Sequence, residues 1–247
     1  MSQKDQTCLS ASICISKFTN FIPSALFPKA KLAAVLILLF EEAGQLRVLL
    51  TTRSKDLRTH AGQTALPGGR VDESDITPIQ TAASPQYREA HEEVALPLNS
   101  PLIRTLGTLR PFVSLHGLIV TPVVALLADP SIISTLKAAE AEVAGIFTHP
   151  LEAILDPALS RKEPLVSPGE DWIYDTELHN TTDSVFPFLK DSTYRMHRFR
   201  SCATPIKGLT ADILIHAAEV AFGRPPEYDR WAEGQPRTFA TISQCFA

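Results

Sequence analysis

Cysteine is scarce in this chain: Cys8, Cys14, Cys202 and Cys245 are scattered through 247 residues with no paired metal-ligand spacing. That scarcity argues against a disulfide-stapled scaffold and reads as free thiols in a reducing compartment. Long apolar runs are lacking too. The run Ala33 to Phe40 is well short of the ~20 residues a helix needs to cross a bilayer. Charge of either sign is in little excess: the net charge of −4 gives no global attraction to nucleic acid or to an anionic membrane, so neither is expected as a main partner. Met1 to Asn20 has no continuous apolar core, which argues against a secretory signal. With Asp5 its only acid and Lys4 and Lys17 its only bases, it is a weak match to a mitochondrial presequence and a better one to a frayed terminus. The cytosol is the expected location, with a peroxisome or mitochondrion as the alternative. Gln244-Cys245-Phe246-Ala247 is not the usual peroxisomal tripeptide address.

What is present supports a packed domain, since 45% of residues are hydrophobic and 20% charged. Ala33 to Phe40 reads as a buried strand, and Leu46 to Thr52, beyond Glu41-Glu42-Ala43-Gly44, as its hairpin partner. Arg53 to Gln63 is polar and mixed, a loop composition suited to ligands. Leu118 to Leu127 is nearly continuous in apolar and β-branched residues and predicts a strand buried on both faces. Ser131 to Glu142 reads as helix or loop, Gly145 to Phe147 as a short strand, and Pro150 to Leu155 as a helix. From Asp156 to Ser192 there is no sustained period, so an elaboration is expected. Tyr194, His197 and Phe199 nearly alternate along a possible strand and read as core or pocket wall. A last helix follows Leu209, with Thr210 as N-cap and Ile213, Leu214, Ala217, Ala218 and Ala221 as its apolar face. Gly223, Pro225 and Pro226 stop it.

The chemistry gathers between Leu57 and Leu96. On a helix, residues three and four apart share a face, so Glu89, Glu92 and Glu93 converge on one small volume. Such carboxylates repel unless a cation lies between them, and hard oxygen ligands suit Mg²⁺ or Mn²⁺ rather than zinc. His91 is two residues from Glu89 and points off that face. Upstream, Pro67-Gly68-Gly69 supplies a tight turn in which backbone can approach a ligand closely. The polar loop carrying Arg53, Lys55, Arg58, His60 and Gln63 runs into that turn. Arg58 and His60 are candidates for substrate phosphates, Arg by bidentate pairing and His when charged.

Gly68-Gly69, then Asp75, then Arg88-Glu89-Ala90-His91-Glu92-Glu93-Val94-Ala95-Leu96 resembles the Nudix box. Leu57-Arg58, His60, Gly62-Gln63, Pro67-Gly68-Gly69 and Asp72 are similar to the signature of the coenzyme A diphosphatase branch of that family. The likeness extends from Lys31 to Tyr228. It implies an α/β fold, a Nudix α/β/α sandwich with a mixed central sheet and a C-terminal elaboration. The expected organisation is an N-terminal extension over 1–30, one hydrolase domain over 31–228 and a tail over 229–247. The implied activity is metal-dependent cleavage of a small-molecule diphosphate, with coenzyme A or its acyl derivatives as substrate. In that scheme Glu89, Glu92, Glu93 and the Gly69 carbonyl hold Mg²⁺ or Mn²⁺, and Arg88 pairs with a carboxylate and orients it. Glu93 or Glu142 serves as base, and Arg53, Arg58, His60 and Gln63 bind substrate.

The chain also departs from the pattern. Twelve residues separate Asp75 from Arg88, against about seven or eight in the family. The extra residues fall near Ala83-Ser84-Pro85, and proline inside a helix costs ~3 kcal/mol or more. A helix restarted with Ser84 as cap and Pro85 in its first position, running to about Val94, keeps the acidic face. Ala95 stands where the family has glycine, a mild change at ordinary φ and a strained one at positive φ. Lys207 stands where an aromatic residue is common.

Overall fold

The computed structural model describes residues 32–71, 85–114 and 117–243. Asp72, Asp75, Ser84, Cys8, Cys14 and Cys245 lie outside them, as do the expected N-terminal extension and the extra residues before Pro85.

A mixed sheet organises the chain. Strand β1 (Leu32–Glu42) pairs in parallel with β7 (Ile119–Leu127) and antiparallel with β2 (Gln45–Arg53). The β1–β2 turn is Ala43-Gly44, with φ of 51° and 75°. Two positive φ values make the tight connection whose twist matches the flanking strands. β3 (Thr64–Ala65) and β8 (Val143–Pro150) pair with β2. β4 (Gly68–Arg70) pairs with the N-terminal half of β1, while β5 (Ile103–Thr108) and β6 (Phe112–Val113) pair with β7. Helix α1 spans Pro85–Val94, as the proline predicts.

Alternation along β1 sends its side chains to two cores. Leu36, Leu38 and Phe40 pack with Tyr87, Ala90 and Val94 of α1. Ala33, Ile37 and Leu39 pack with the longer helix α2 (Gly208–Phe222). The sheet is thus covered on both faces, which is why β1 and β7 read as apolar runs. No helix of the described residues is long and apolar enough to cross a membrane.

Several expectations change. β8 is eight residues, longer than Gly145 to Phe147. Pro130–Thr135 and Leu151–Ile154 are short 3-10 turns. Thr210 does not cap α2: Lys207 is the N-cap, and Thr210 Oγ1 donates instead to the Thr64 carbonyl at 3.3 Å. The stretch from Asp156 holds a strand, β9 (His179–Phe186), which pairs with β10 (Ser192–Phe199) and through it with β11 (Ile206–Lys207) in a second, antiparallel sheet. β9 carries HNTTDSVF, half of it exposed and none of it buried, so it shows no apolar period. A five-residue helix, α3 (Phe239–Ser243), follows.

Candidate active site

The glycine turn is fixed by what surrounds it. Gly68 has φ of +152°, and a Cβ there would lie 2.3 Å from the Ala34 carbonyl oxygen. A Cβ on Gly69 would lie 2.5 Å from Glu89 Cδ and within 2.7 Å of both carboxylate oxygens. Only glycine lets the β4 backbone and the helix carboxylate come this close.

Helix α1 presents those carboxylates because its other side is anchored. Gln86, Tyr87, Ala90 and Val94 are buried, and the Tyr87 hydroxyl lies 2.6 Å from Thr105 Oγ1. The helix ends at Ala95, whose φ is +57°, so the substitution for glycine is the strained kind. Ala95 N–H donates to the His91 carbonyl at 2.9 Å, a left-handed cap. His91 Nδ1 lies 2.9 Å from the Leu96 carbonyl, so that ring serves the helix end.

Glu93 is 5% exposed and accepts the Gly68 N–H at 3.2 Å. Burial pushes its carboxyl up to about 7; the Gly68 bond and Arg53 pull it down, and Glu89 and Glu142 push it further up. Glu89 is raised as well, first by burial, with Arg88 opposing and Glu92 and Glu142 adding. Arg88 bridges its neighbours, 2.9 Å from Glu89 and 3.1 Å from Glu92. Glu92 is the outermost of the three acids.

Glu142 arrives from elsewhere in the chain. The segment before β8 is tied to the helix end by Ala139 N–H on the Glu93 carbonyl at 2.9 Å and Lys137 N–H on the Val94 carbonyl at 3.1 Å. Ser54 N–H then holds the Glu142 carbonyl at 2.8 Å. Sequence reasoning could not find these ties, because they are backbone bonds between distant segments.

Arg53 ends β2 at a bulge and acts electrostatically on Glu93. Its Nε is buried with no partner among the described residues, an orphan donor that an anion would satisfy. Gln63 is joined to this point through its carbonyl, which accepts Arg53 N–H at 2.9 Å. His60 Nδ1 lies 3.1 Å from Gln63 Oε1, and Arg58 and His60 are exposed on the loop. The structure therefore brings Gly69, Arg88, Glu89, Glu92, Glu93, Glu142 and Arg53 together, and leaves Arg58 and His60 outermost.

Among the described residues no three His, Cys, Asp or Glu side chains stand in a ready coordinating group, and Arg88 now occupies two of the acids. The donor set still fits a hard divalent cation. The Glu89 carboxylate is crowded against Gly69, and Glu89 and Glu93 are both raised first by burial and further by neighbouring carboxylates, a cost that a cation would relieve.

The NUDIX domain family model matches residues 30–168. The chain is 37% identical over 201 residues to Nudix hydrolase 15, mitochondrial, of Arabidopsis thaliana, covering 81% of this chain and 62% of the relative. To Nudix hydrolase 22, chloroplastic, of the same plant it is 38% identical over 201 residues, covering 81% and 58%. To the uncharacterized Nudix hydrolase NudL of Pectobacterium atrosepticum it is 40% identical over 161 residues, covering 64% of this chain and 78% of that protein. The chain thus spans about 60% of the length of the two plant relatives.

Proposed function

This chain belongs to the Nudix hydrolases, and from that membership we propose that it cleaves coenzyme A or acyl-coenzyme A to 3′,5′-ADP and the corresponding 4′-phosphopantetheine. The observation that carries the reading is the crowding of Glu89 and Glu93 on the Gly68-Gly69 turn beside the orphan donor of Arg53. The narrower substrate rests on Leu57-Arg58, His60, Gly62-Gln63 and Pro67-Gly68-Gly69.

Glu89, Glu92, Glu93 and the Gly69 carbonyl would hold Mg²⁺ or Mn²⁺. When bound, the cation neutralises diphosphate oxygens and lowers the pKa of coordinated water. Arg88 orients Glu89 and Glu92 through its two ion pairs. Arg53 takes a diphosphate oxygen with its unpartnered Nε–H, while Arg58, His60 and Gln63 line the approach. Water oxygen bonds to one phosphorus, the bridging P–O bond breaks with its electrons leaving on the other phosphate, and the water proton passes to a carboxylate. Glu142 is that carboxylate: its charge acts on both Glu89 and Glu93, and it forms no ion pair among the described residues.

The test is product analysis after incubating purified protein with Mg²⁺ or Mn²⁺ and, separately, coenzyme A, acetyl-coenzyme A, NADH, ADP-ribose and a nucleotide sugar. Release of 3′,5′-ADP is expected. Cleavage of the other diphosphates without that of coenzyme A would overturn the substrate.

A further inference from the structure

A second concave site lies on the other face of the sheet. Gly69 pairs with Ala34 and is crowded by Glu89 of α1, whereas Phe112 packs into the core shared with α2. Arg70, Ala33, Val120 and Phe112 stand in one row across four strands, three spacings or roughly 14 Å. Beneath Phe112 is a cavity of about 70 Å³, open at one side, between the Arg110–Ser114 segment, β10, the start of α2 and the chain from Arg230 to Ile242.

Its acids are already engaged by hydrogen bond or ion pair. Asp212 accepts the Tyr194 hydroxyl, and Arg230 pairs with Glu219. Arg110 has no such partner: among the described residues it makes neither hydrogen bond nor ion pair, and its guanidinium carbon lies 4.6 Å from the centre of the Phe112 ring. Stacking engages the flat face of a guanidinium and leaves the N–H donors in its plane available for a bidentate oxyanion. Burial first and then the nearby Arg230 lower the Arg110 pKa, with Tyr194, Asp212 and Glu219 opposing them, so the charged guanidinium is disfavoured on balance and an anion on its donors would favour it. Arg237, exposed at the mouth, adds a third cation, 6.0 Å from the Trp231 ring centre. Other walls are apolar, including Phe186, Leu189, Met196 and Phe239.

We propose that this cavity binds an organic oxyanion, a phosphate or carboxylate carried on a small apolar or aromatic body, with Arg110 gripping the oxygens. The space suits a phosphate-sized head and part of one ring, since an apolar cavity about twice as large takes benzene. Being on the opposite face, the site is distinct from the carboxylate turn and does not rest on the reaction assigned there. Both sites can be filled at once.

The experiment is titration calorimetry, paired with Trp231 fluorescence, using phenyl phosphate, benzoate, inorganic phosphate and benzyl alcohol. Phenyl phosphate or benzoate, or both, saturates the protein, and whichever does identifies the head group. Inorganic phosphate and benzyl alcohol bind about ten-fold more weakly or worse. Arg110→Met weakens the bound probe by about ten-fold or more, Arg237→Gln by about three-fold, and Glu93→Gln not at all. Absence of saturation by both anionic probes overturns the proposal, as does equal binding of inorganic phosphate. Undiminished binding in folded Arg110→Met also overturns it, and so does loss in Glu93→Gln, which would put the ligand at the glycine turn. If Arg110→Met does not fold, the exposed Arg237→Gln decides, and unchanged affinity there counts against the site.

Discussion

One methyl group at position 69 would fall 2.5 Å from the Glu89 carboxyl carbon, and the part that must yield is the end of a flexible side chain. Gly69→Ala should therefore cost little stability yet displace a carboxylate by about an ångström, lowering kcat/KM roughly 10²-fold. Steady-state kinetics beside a thermal melt check both halves. Ala95 poses the reverse case. At φ of +57° an alanine is strained by about 1 kcal/mol, so Ala95→Gly should raise stability by about that much in urea denaturation. Glu142→Gln should lower kcat without weakening Mn²⁺ binding, measured by titration, whereas Glu93→Gln should weaken both. Equal loss of Mn²⁺ binding in the two would remove Glu142 from the base role. The placement of Glu89, Glu92 and Glu93 on one helix was legible in the sequence because their spacing is helical, whereas the pairing of Arg88 with both Glu89 and Glu92 depends on side-chain packing. Arg53 stood out there only as one of several loop cations. Its buried, unpartnered Nε appears only once the bulge after Thr52 is formed.

Helix α1 is short, starts at a proline and ends in a strained cap, so its position depends on what it touches. The Tyr87 hydroxyl bond to Thr105 fixes it to β5, and Tyr87→Phe should cost about 1 kcal/mol in denaturant unfolding with the acidic face intact. The Ala139 and Lys137 amides bind its last carbonyls, coupling the helix to the segment that delivers Glu142. The restart at Pro85 could be read from sequence because proline's ring and missing N–H dictate where it sits. β9 could not. It is an edge strand held by backbone pairing to β10, with Thr181, Thr182, Asp183 and Val185 exposed and no residue buried, and pairing of that kind leaves no hydrophobic signature.

Across the whole molecule, buried titratable groups pull stability in opposite directions. His149 is 1% exposed, with neither ring nitrogen partnered among the described residues, and burial lowers its pKa from 6.5 to about 4. The native state then binds fewer protons than the unfolded chain between those values, so this term is present above pH 6.5 and lost as pH falls toward 4. Asp212 and Glu93 are raised to about 6 and about 7, and their terms run the other way, weakening as pH rises. The net curve mixes these, but a variant isolates one of them. Between pH 6.5 and pH 4, His149→Leu should gain on the wild type by about 3 kcal/mol, read from paired denaturant titrations.

The hairpin of β1 and β2, the doubly buried β7, the restarted helix and the helical spacing of its three acids could all be read from the chain alone. Each follows from local rules: the period of apolar residues, the steric demands of proline and the spacing of a helical turn. Folding alone brings Glu142 to those acids, leaves Arg53 a buried donor with no partner among the described residues, strains Ala95 and sets Arg110 on a cavity on the far side of the sheet. Those features arise from backbone bonds and packing between segments far apart in the chain, and no pattern within one segment encodes which distant group it will meet.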